Sequence, residues 1–290
     1  CVSRPSKTQG VPPGFWIVVM WRALLIGGFM VAVSALRLAA DESILTPQKK
    51  AHWAWQTPQR PPVPTVKQTT WPKNDIDRFI LAKLEAQRLT PAPVADPTTL
   101  LRRLYFDLIG LPPTPRDVDE FVAAWDGASA KRQANSVLST QYSVIEKVVD
   151  HLLSSPHYGE RWGRHWLDLA RFAESNGYEF DEIRPDAWRY RDYVIRAFNA
   201  DKPYDRFLLE QIAGDELFPD DVDARIATGF NLLGPDMTDS SNQAQRRQNT
   251  LDDMTDTAGL VFMGLTIGCA RCHDHKFEPI LQADFYRVQA

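Results

Sequence analysis

Ser155-Pro156-His157-Tyr158-Gly159-Glu160-Arg161-Trp162-Gly163-Arg164-His165-Trp166-Leu167-Asp168-Leu169-Ala170-Arg171 is the stretch whose reading decides the fold. It opens on a serine whose hydroxyl can accept a first-turn N–H, followed by a proline at the first helical position, where a missing N–H costs nothing. Trp162, Trp166, Leu169, Ala170 and Ala173 then recur with helical spacing and predict an apolar face. The other side is charged. Glu160 to Arg164 and Arg164 to Asp168 are four apart, Asp168 to Arg171 three apart, so an intrahelical ion ladder is expected there. His165 lies in the same helix, and a polar pocket wall with His165 pointing into it is the competing reading. The solvated ladder is favoured, as helix-face charges usually serve that way.

The same start signals recur outward along the chain. Asn74 can cap a helix carrying Ile76, Phe79, Ile80 and Leu84. Asp96-Pro97 opens one with Leu100, Leu101, Leu104, Tyr105, Leu108 and Ile109 on its apolar face, ended by Gly110. Thr114-Pro115 opens another with Val118, Phe121, Val122 and Trp125. Asp126–Tyr142 loses periodicity and reads as an exposed loop or weak helix. Further helices are expected from Ile145, from Pro185, from Pro203 and over Asp220–Leu233. Gly234–Arg247 reads as a polar loop, and Thr250–Thr266 as a helix buried in its later half. No alternating strand pattern of useful length appears between residues 74 and 250. The predicted fold is all-α, an irregular multi-helix domain with long proline-rich turns and no significant sheet.

In 290 residues, 44% hydrophobic and 24% charged, the chain has the make-up of a globular protein with room for a sizeable core. The net charge of −4 understates the acidity of the body, because residues 1–40 hold Arg4, Lys7, Arg22 and Arg37 and no acid. No Lys/Arg cluster suited to phosphate binding is found, so nucleic acid is not expected as a partner. Phe15–Leu36 is apolar apart from Arg22. Read from Met20, it has a basic start, an apolar run and small residues near Ala35 or Ala40, as a cleaved secretory signal does. It is also long enough for a membrane anchor, the only membrane attachment expected. Residues 1–40 are therefore taken as signal or anchor, 41–73 as a proline-rich arm, and 74–290 as the helical domain. The chain is expected to be exported, to the periplasm or cell envelope. In the arm, the tryptophans of Ala51-His52-Trp53-Ala54-Trp55 are expected to dock onto the domain surface.

Two of the three cysteines lie in Cys269-Ala270-Arg271-Cys272-His273; the third, Cys1, receives no role. C-x-x-C-H is the spacing of covalent haem attachment: each thiol adds to a haem vinyl group, and the adjacent imidazole reaches the iron as proximal ligand. Export supports this, because such haem is attached outside the cytoplasm. An alternative metal site, zinc or another soft ion, would use Cys269, Cys272, His273 and His275, which are cramped for a tetrahedron and have no distant second cysteine pair. A third reading is a disulfide or redox pair between Cys269 and Cys272. His275 is poorly placed to reach the opposite haem face. His165, His52, Met237, Met254 and Met263 are candidate distal ligands, with Met263 expected to pack in the core.

The chain from about His52 to Arg287 resembles the helical cytochrome-like domain of the planctomycetal paralogous-sulfatase-associated cytochromes. The resemblance is carried by His52-Trp53-Ala54, Ile76-Asp77-Arg78-Phe79-Ile80, Phe106 through Thr114, Ser155 through Trp162, His165 through Arg171, Trp188 through Asp192 and Gly268 through Lys276. It implies a protein binding haem c, with Cys269, Cys272 and His273 as the cofactor residues. It also implies an electron-transfer or oxidoreductase role, an unidentified redox partner, and a link to polysaccharide-degrading enzymes or sulfatases. Family members continue past this point, so the domain is expected to be truncated at its C-terminus. The alternative function is a non-redox glycan-binding or scaffold module whose Cys/His site is structural.

Overall fold

A computed structural model describes residues 46–130, 137–177, 181–236 and 241–290. The signal or anchor segment, residues 131–136 of the expected loop, and Met237 lie outside the described residues. Among the described residues eleven α-helices follow in order: α1 Pro47–Lys50, α2 Asp75–Ala86, α3 Pro97–Leu108, α4 Pro115–Ala130, α5 Val137–Leu153, α6 Pro156–Leu169, α7 Ala187–Asn199, α8 Tyr204–Leu217, α9 Val222–Ala227, α10 Gln243–Met263 and α11 Gln282–Gln289. Extended pairing among the described residues is limited to an isolated antiparallel bridge, Ser175 with Ile183. The protein is all-α, and no described helix is long and apolar enough to cross a membrane.

The starts fall where local chemistry places them. Asn74 Oδ1 accepts the Asp77 N–H at 2.9 Å, Asp96 Oδ1 the Thr99 N–H at 2.9 Å, and Ser155 Oγ the His157 N–H at 3.3 Å. Thr114 and Asp117 exchange bonds reciprocally before α4. Of the two readings left open for Asp126–Tyr142 the helix is the one formed, and the loop expected over Gly234–Arg247 is corrected at its end. α4 runs on to Ala130 and α5 resumes at Val137, so the described part of Asp126–Tyr142 is helical. Ser129 lies within the helix and its hydroxyl donates back to the Trp125 carbonyl at 2.9 Å. α10 begins at Gln243, capped by Asn242, and not at Thr250.

The described residues divide into two compact units, Gln59–Gly268 with Gln289, and residues 46–58 with Cys269–Val288 and Ala290. The larger unit has two apolar clusters. Leu101, Tyr105, Phe121 and Leu152 join α3, α4 and α5. Trp166, Tyr190, Tyr193, Phe207 and Phe230 anchor the other across α6, α7, α8 and the turn after α9. The arm after Pro58 is tied to α2, where Glu85 accepts the backbone N–H groups of Lys67 and Gln68 at 3.0 Å.

The buried faces differ from those read off the period. In α2 the buried residue is Leu81, while Ile76 is 69% exposed. In α6 the buried stripe is Gly159, Gly163, Trp166 and Ala170, while Trp162 and Leu169 face outward. Gly159 is the reason: a Cβ there would lie 2.3 Å from the Ile195 carbonyl oxygen, so glycine alone lets α7 approach this close. The predicted ion ladder is not the arrangement formed. Glu160 bonds His157 at 2.8 Å and Arg171 pairs with Asp253 at 2.7 Å. α10 buries Asp252, Thr255, Thr257 and Gly259, whereas Leu260 and Met263 of its apolar end are half exposed.

Candidate functional site

Cys269 follows a sharp change of direction. Gly264, at φ 66°, ends α10 in the left-handed conformation that glycine adopts without a Cβ penalty. A short 3-10 turn, Ile267–Arg271, then carries Cys269. Cys269 and Cys272 are free thiols exposed to solvent, and Ala270 between them is fully buried. The C-x-x-C spacing therefore anchors one side chain and leaves both sulfurs outward.

His273 is exposed, and its Nδ1 lies 2.8 Å from the Asp274 carbonyl oxygen. A carbonyl only accepts, so Nδ1 carries the proton and Nε2 presents a lone pair. This is the tautomer that binds a metal through Nε2, with the other ring nitrogen donating to the protein.

His275 has the opposite arrangement. It is 7% exposed, and its Nδ1 accepts the N–H groups of Glu278 at 2.9 Å and Phe277 at 3.3 Å, while its backbone N–H donates to the Ile280 carbonyl. A nitrogen that accepts two backbone donors is unprotonated, so the neutral ring holds its proton on Nε2. Metal binding through Nε2 would need the imidazolate. This chemistry weighs against His275 in the alternative metal set. Among the described residues, no group of three or more His, Cys, Asp or Glu side chains is gathered in a metal-binding arrangement.

The first turn of α11, an element missed in the sequence reading, holds this segment together. Asp274 Oδ1 accepts the N–H of Gln282, the first residue of α11, at 2.7 Å. The Gln282 side chain donates to the Arg271 carbonyl at 2.9 Å, and the Tyr286 hydroxyl to the same oxygen at 3.1 Å. Asp284 Oδ2 closes the helix start by accepting the Leu281 N–H. Leu281-Gln282-Ala283-Asp284, with an acid three residues past the cap, was the available signal.

Of the other candidates, His165, Met254 and Met263 belong to the larger unit and His52 to the smaller. His165 is exposed on α6 in the larger unit, edge-on to Trp162 at 5.3 Å between centroids. His52 caps its own turn, its Nδ1 accepting the Ala54 N–H, beside a Trp53 that is 80% exposed and not docked as expected. Met254 is half-buried, and Met263 is half exposed where core packing was expected, because the buried face of α10 carries Thr255 and Gly259.

The largest displacements belong to the buried phenols of Tyr190 and Tyr193, both pushed up by burial, and beside Tyr193 lies a buried carboxylate that no motif singled out. Glu210 is 1% exposed in α8 and accepts from Arg206 Nε at 2.6 Å, Lys202 Nζ at 2.5 Å and the Tyr193 hydroxyl at 2.7 Å. Burial pushes its carboxyl up, but the bonds from Lys202, Tyr193 and Arg206 outweigh it and hold the carboxyl below the ordinary range. Both oxygens are occupied, so the group is structural; the i,i+4 spacing of Arg206 and Glu210 was its sequence signal.

No curated protein and no solved structure matches the chain. Residues 75–290 match the family described as PSCyt2, protein of unknown function (DUF1549). The chain is a member of the PSCyt2 (DUF1549) family, which agrees at family level with the resemblance read from its motifs.

Proposed function

We propose that this is the haem-attachment domain of an exported c-type haem protein with an electron-transfer or oxidoreductase role. The observation that carries the reading is the tautomer of His273: Nδ1 is committed to the Asp274 carbonyl, so Nε2 is free beside two exposed, unpaired thiols. Cys269 and Cys272 would form the two thioethers, each S–H adding across a vinyl double bond, and His273 would supply the proximal nitrogen. The cofactor, when bound, supplies one-electron chemistry at iron; the protein supplies attachment, ring orientation and the Nδ1–H bond that tunes imidazole donor strength. Export and an association with polysaccharide-degrading enzymes or sulfatases belong to the same proposal and rest on the N-terminal sequence and the family resemblance.

The full-length protein, produced in a periplasm that contains haem-attachment machinery, tests this. An alkaline pyridine haemochrome band that survives denaturation is expected. Cys272→Ala is expected to abolish the two-thioether spectrum, and His273→Ala to shift the iron spectrum while attachment persists. A colourless protein holding zinc or a Cys269–Cys272 disulfide would overturn the reading.

A further inference from the structure

We propose that Asp274 is the positioning residue of the motif, its backbone carbonyl fixing the tautomer of His273 and its carboxylate fixing that carbonyl. This rests on the haem reading only for the identity of the ligand. His273 is exposed, so packing does not choose which ring nitrogen holds the proton; the 2.8 Å bond from Nδ1 to the Asp274 oxygen does. A carbonyl in an exposed turn directs a ring only if its peptide is itself held. Asp274 is held by its own side chain, which accepts the Gln282 N–H at 2.7 Å at the start of α11. Arg271, on the other side of Cys272, is held by Gln282 and Tyr286 of the same helix. The opening of α11 thus clamps both ends of Arg271-Cys272-His273-Asp274, and Asp274 transmits the clamp to the imidazole. His275 serves the next loop, capping Phe277 and Glu278, which explains why two histidines two residues apart hold opposite tautomers.

Long-range ¹⁵N histidine NMR on the full-length protein before haem loading reads this directly. Spectra are taken at about pH 8.5, well above the ordinary histidine range. Wild type is expected to show His273 protonated on Nδ1 and His275 on Nε2. Asp274→Ala is expected to move both His273 nitrogens to averaged positions as the single tautomer is lost, and Asp274→Asn, which keeps the acceptor oxygen, to restore it. Gln282→Pro is the second variant. Proline is favoured at the first position of a helix and removes the N–H that Asp274 accepts, so it should mix the His273 tautomers while α11 stays formed. The His275 signals report in each variant that the loop is folded.

In the loaded protein, Asp274→Ala is expected to raise the reduction potential, since a weaker imidazole donor favours the ferrous state, with the haem-to-protein ratio unchanged. A wild-type His273 protonated on Nε2, or one that keeps a single tautomer in both Asp274→Ala and Gln282→Pro, overturns the proposal. The full tautomer response in a protein that never acquires covalent haem supports it and sinks the haem reading alone.

Discussion

The core of α6, α7 and α8 and the turn from Cys269 to Gln282 are both dense in polar side chains, and they use them in opposite ways. In the core the polar side-chain atoms of the central residues are occupied, almost all by one another. The Trp166 indole N–H reaches the Tyr190 hydroxyl at 3.0 Å and Gln211 Oε1 at 2.9 Å, Tyr190 also donates to Gln211, and Gln211 donates to the Phe207 carbonyl. Glu210, one residue earlier, takes two cations and a phenol. In the turn, backbone groups and the start of one short helix do the holding, and the thiols and the His273 Nε2 stay free. A displaced pKa is often read as a sign of a functional site. Here the most displaced groups, the Tyr190 and Tyr193 phenols, are locked in packing, and the groups open to chemistry are those that the turn leaves uncommitted.

The sharpest way to break this contrast is to empty the core of its carboxylate. Glu210→Ala leaves Lys202, Arg206 and Tyr193 facing a gap, and loss of one partner of a buried ion pair typically costs about 3–5 kcal/mol. Chemical denaturation of the purified chain is expected to show a loss of this size. A change under about 1 kcal/mol would mean the cluster is not structural. Gln211→Ala should cost less, about 2 kcal/mol, because Trp166 and Tyr190 keep one another while Tyr190 loses its acceptor.

The same cluster sets two pH limits. Glu210 is held below its ordinary value of 4.5, so its contribution is present above that value and is lost as pH falls through the lower folded one. Burial, then the neighbouring Glu210, pushes the Tyr193 phenol up from 10.0, so its contribution is present below 10.0 and is lost as pH rises past it. Denaturation midpoints are expected to fall at both ends, and Glu210→Gln to flatten the acid limb. An unchanged acid limb would assign that loss to other carboxylates.

How much of this was legible in the sequence follows from range. Asn74, Asp96-Pro97, Thr114-Pro115 and Ser155-Pro156 mark helix starts because a cap and its N–H partner lie within three residues. The buried face of α6 was legible only in part: Trp166 and Ala170 are buried as read, but Gly159 matters only once Ile195 and Asn199 of α7 arrive beside it. The Asp126–Tyr142 stretch left loop and weak helix both open because its small polar residues favour loops in isolation, and its described part takes the helical option. In the motif, the spacing of Cys269, Cys272 and His273 is a matter of sequence, and the structure adds that all three side chains are exposed. The split between His273 and His275 was not legible, because it depends on which backbone groups a ring meets: a carbonyl at Asp274, two N–H groups at Phe277 and Glu278.

The smallest effect sharpens the comparison most. His275 is buried and polar like Gln211, yet its bonds run only to a loop three residues long, so its removal should be felt there. In His275→Ala two N–H groups lose an acceptor, at about 1–2 kcal/mol for the local opening. Hydrogen exchange at Phe277 and Glu278 is expected to quicken about tenfold, which corresponds to about 1.4 kcal/mol. Amides in α6 and α7 should exchange as before. Covalent haem, if His275 is no ligand, should load to the wild-type ratio with an unshifted spectrum. A spectrum that shifts as in His273→Ala would instead put His275 on the iron, and the two tautomers would then have to be exchanged between the histidines.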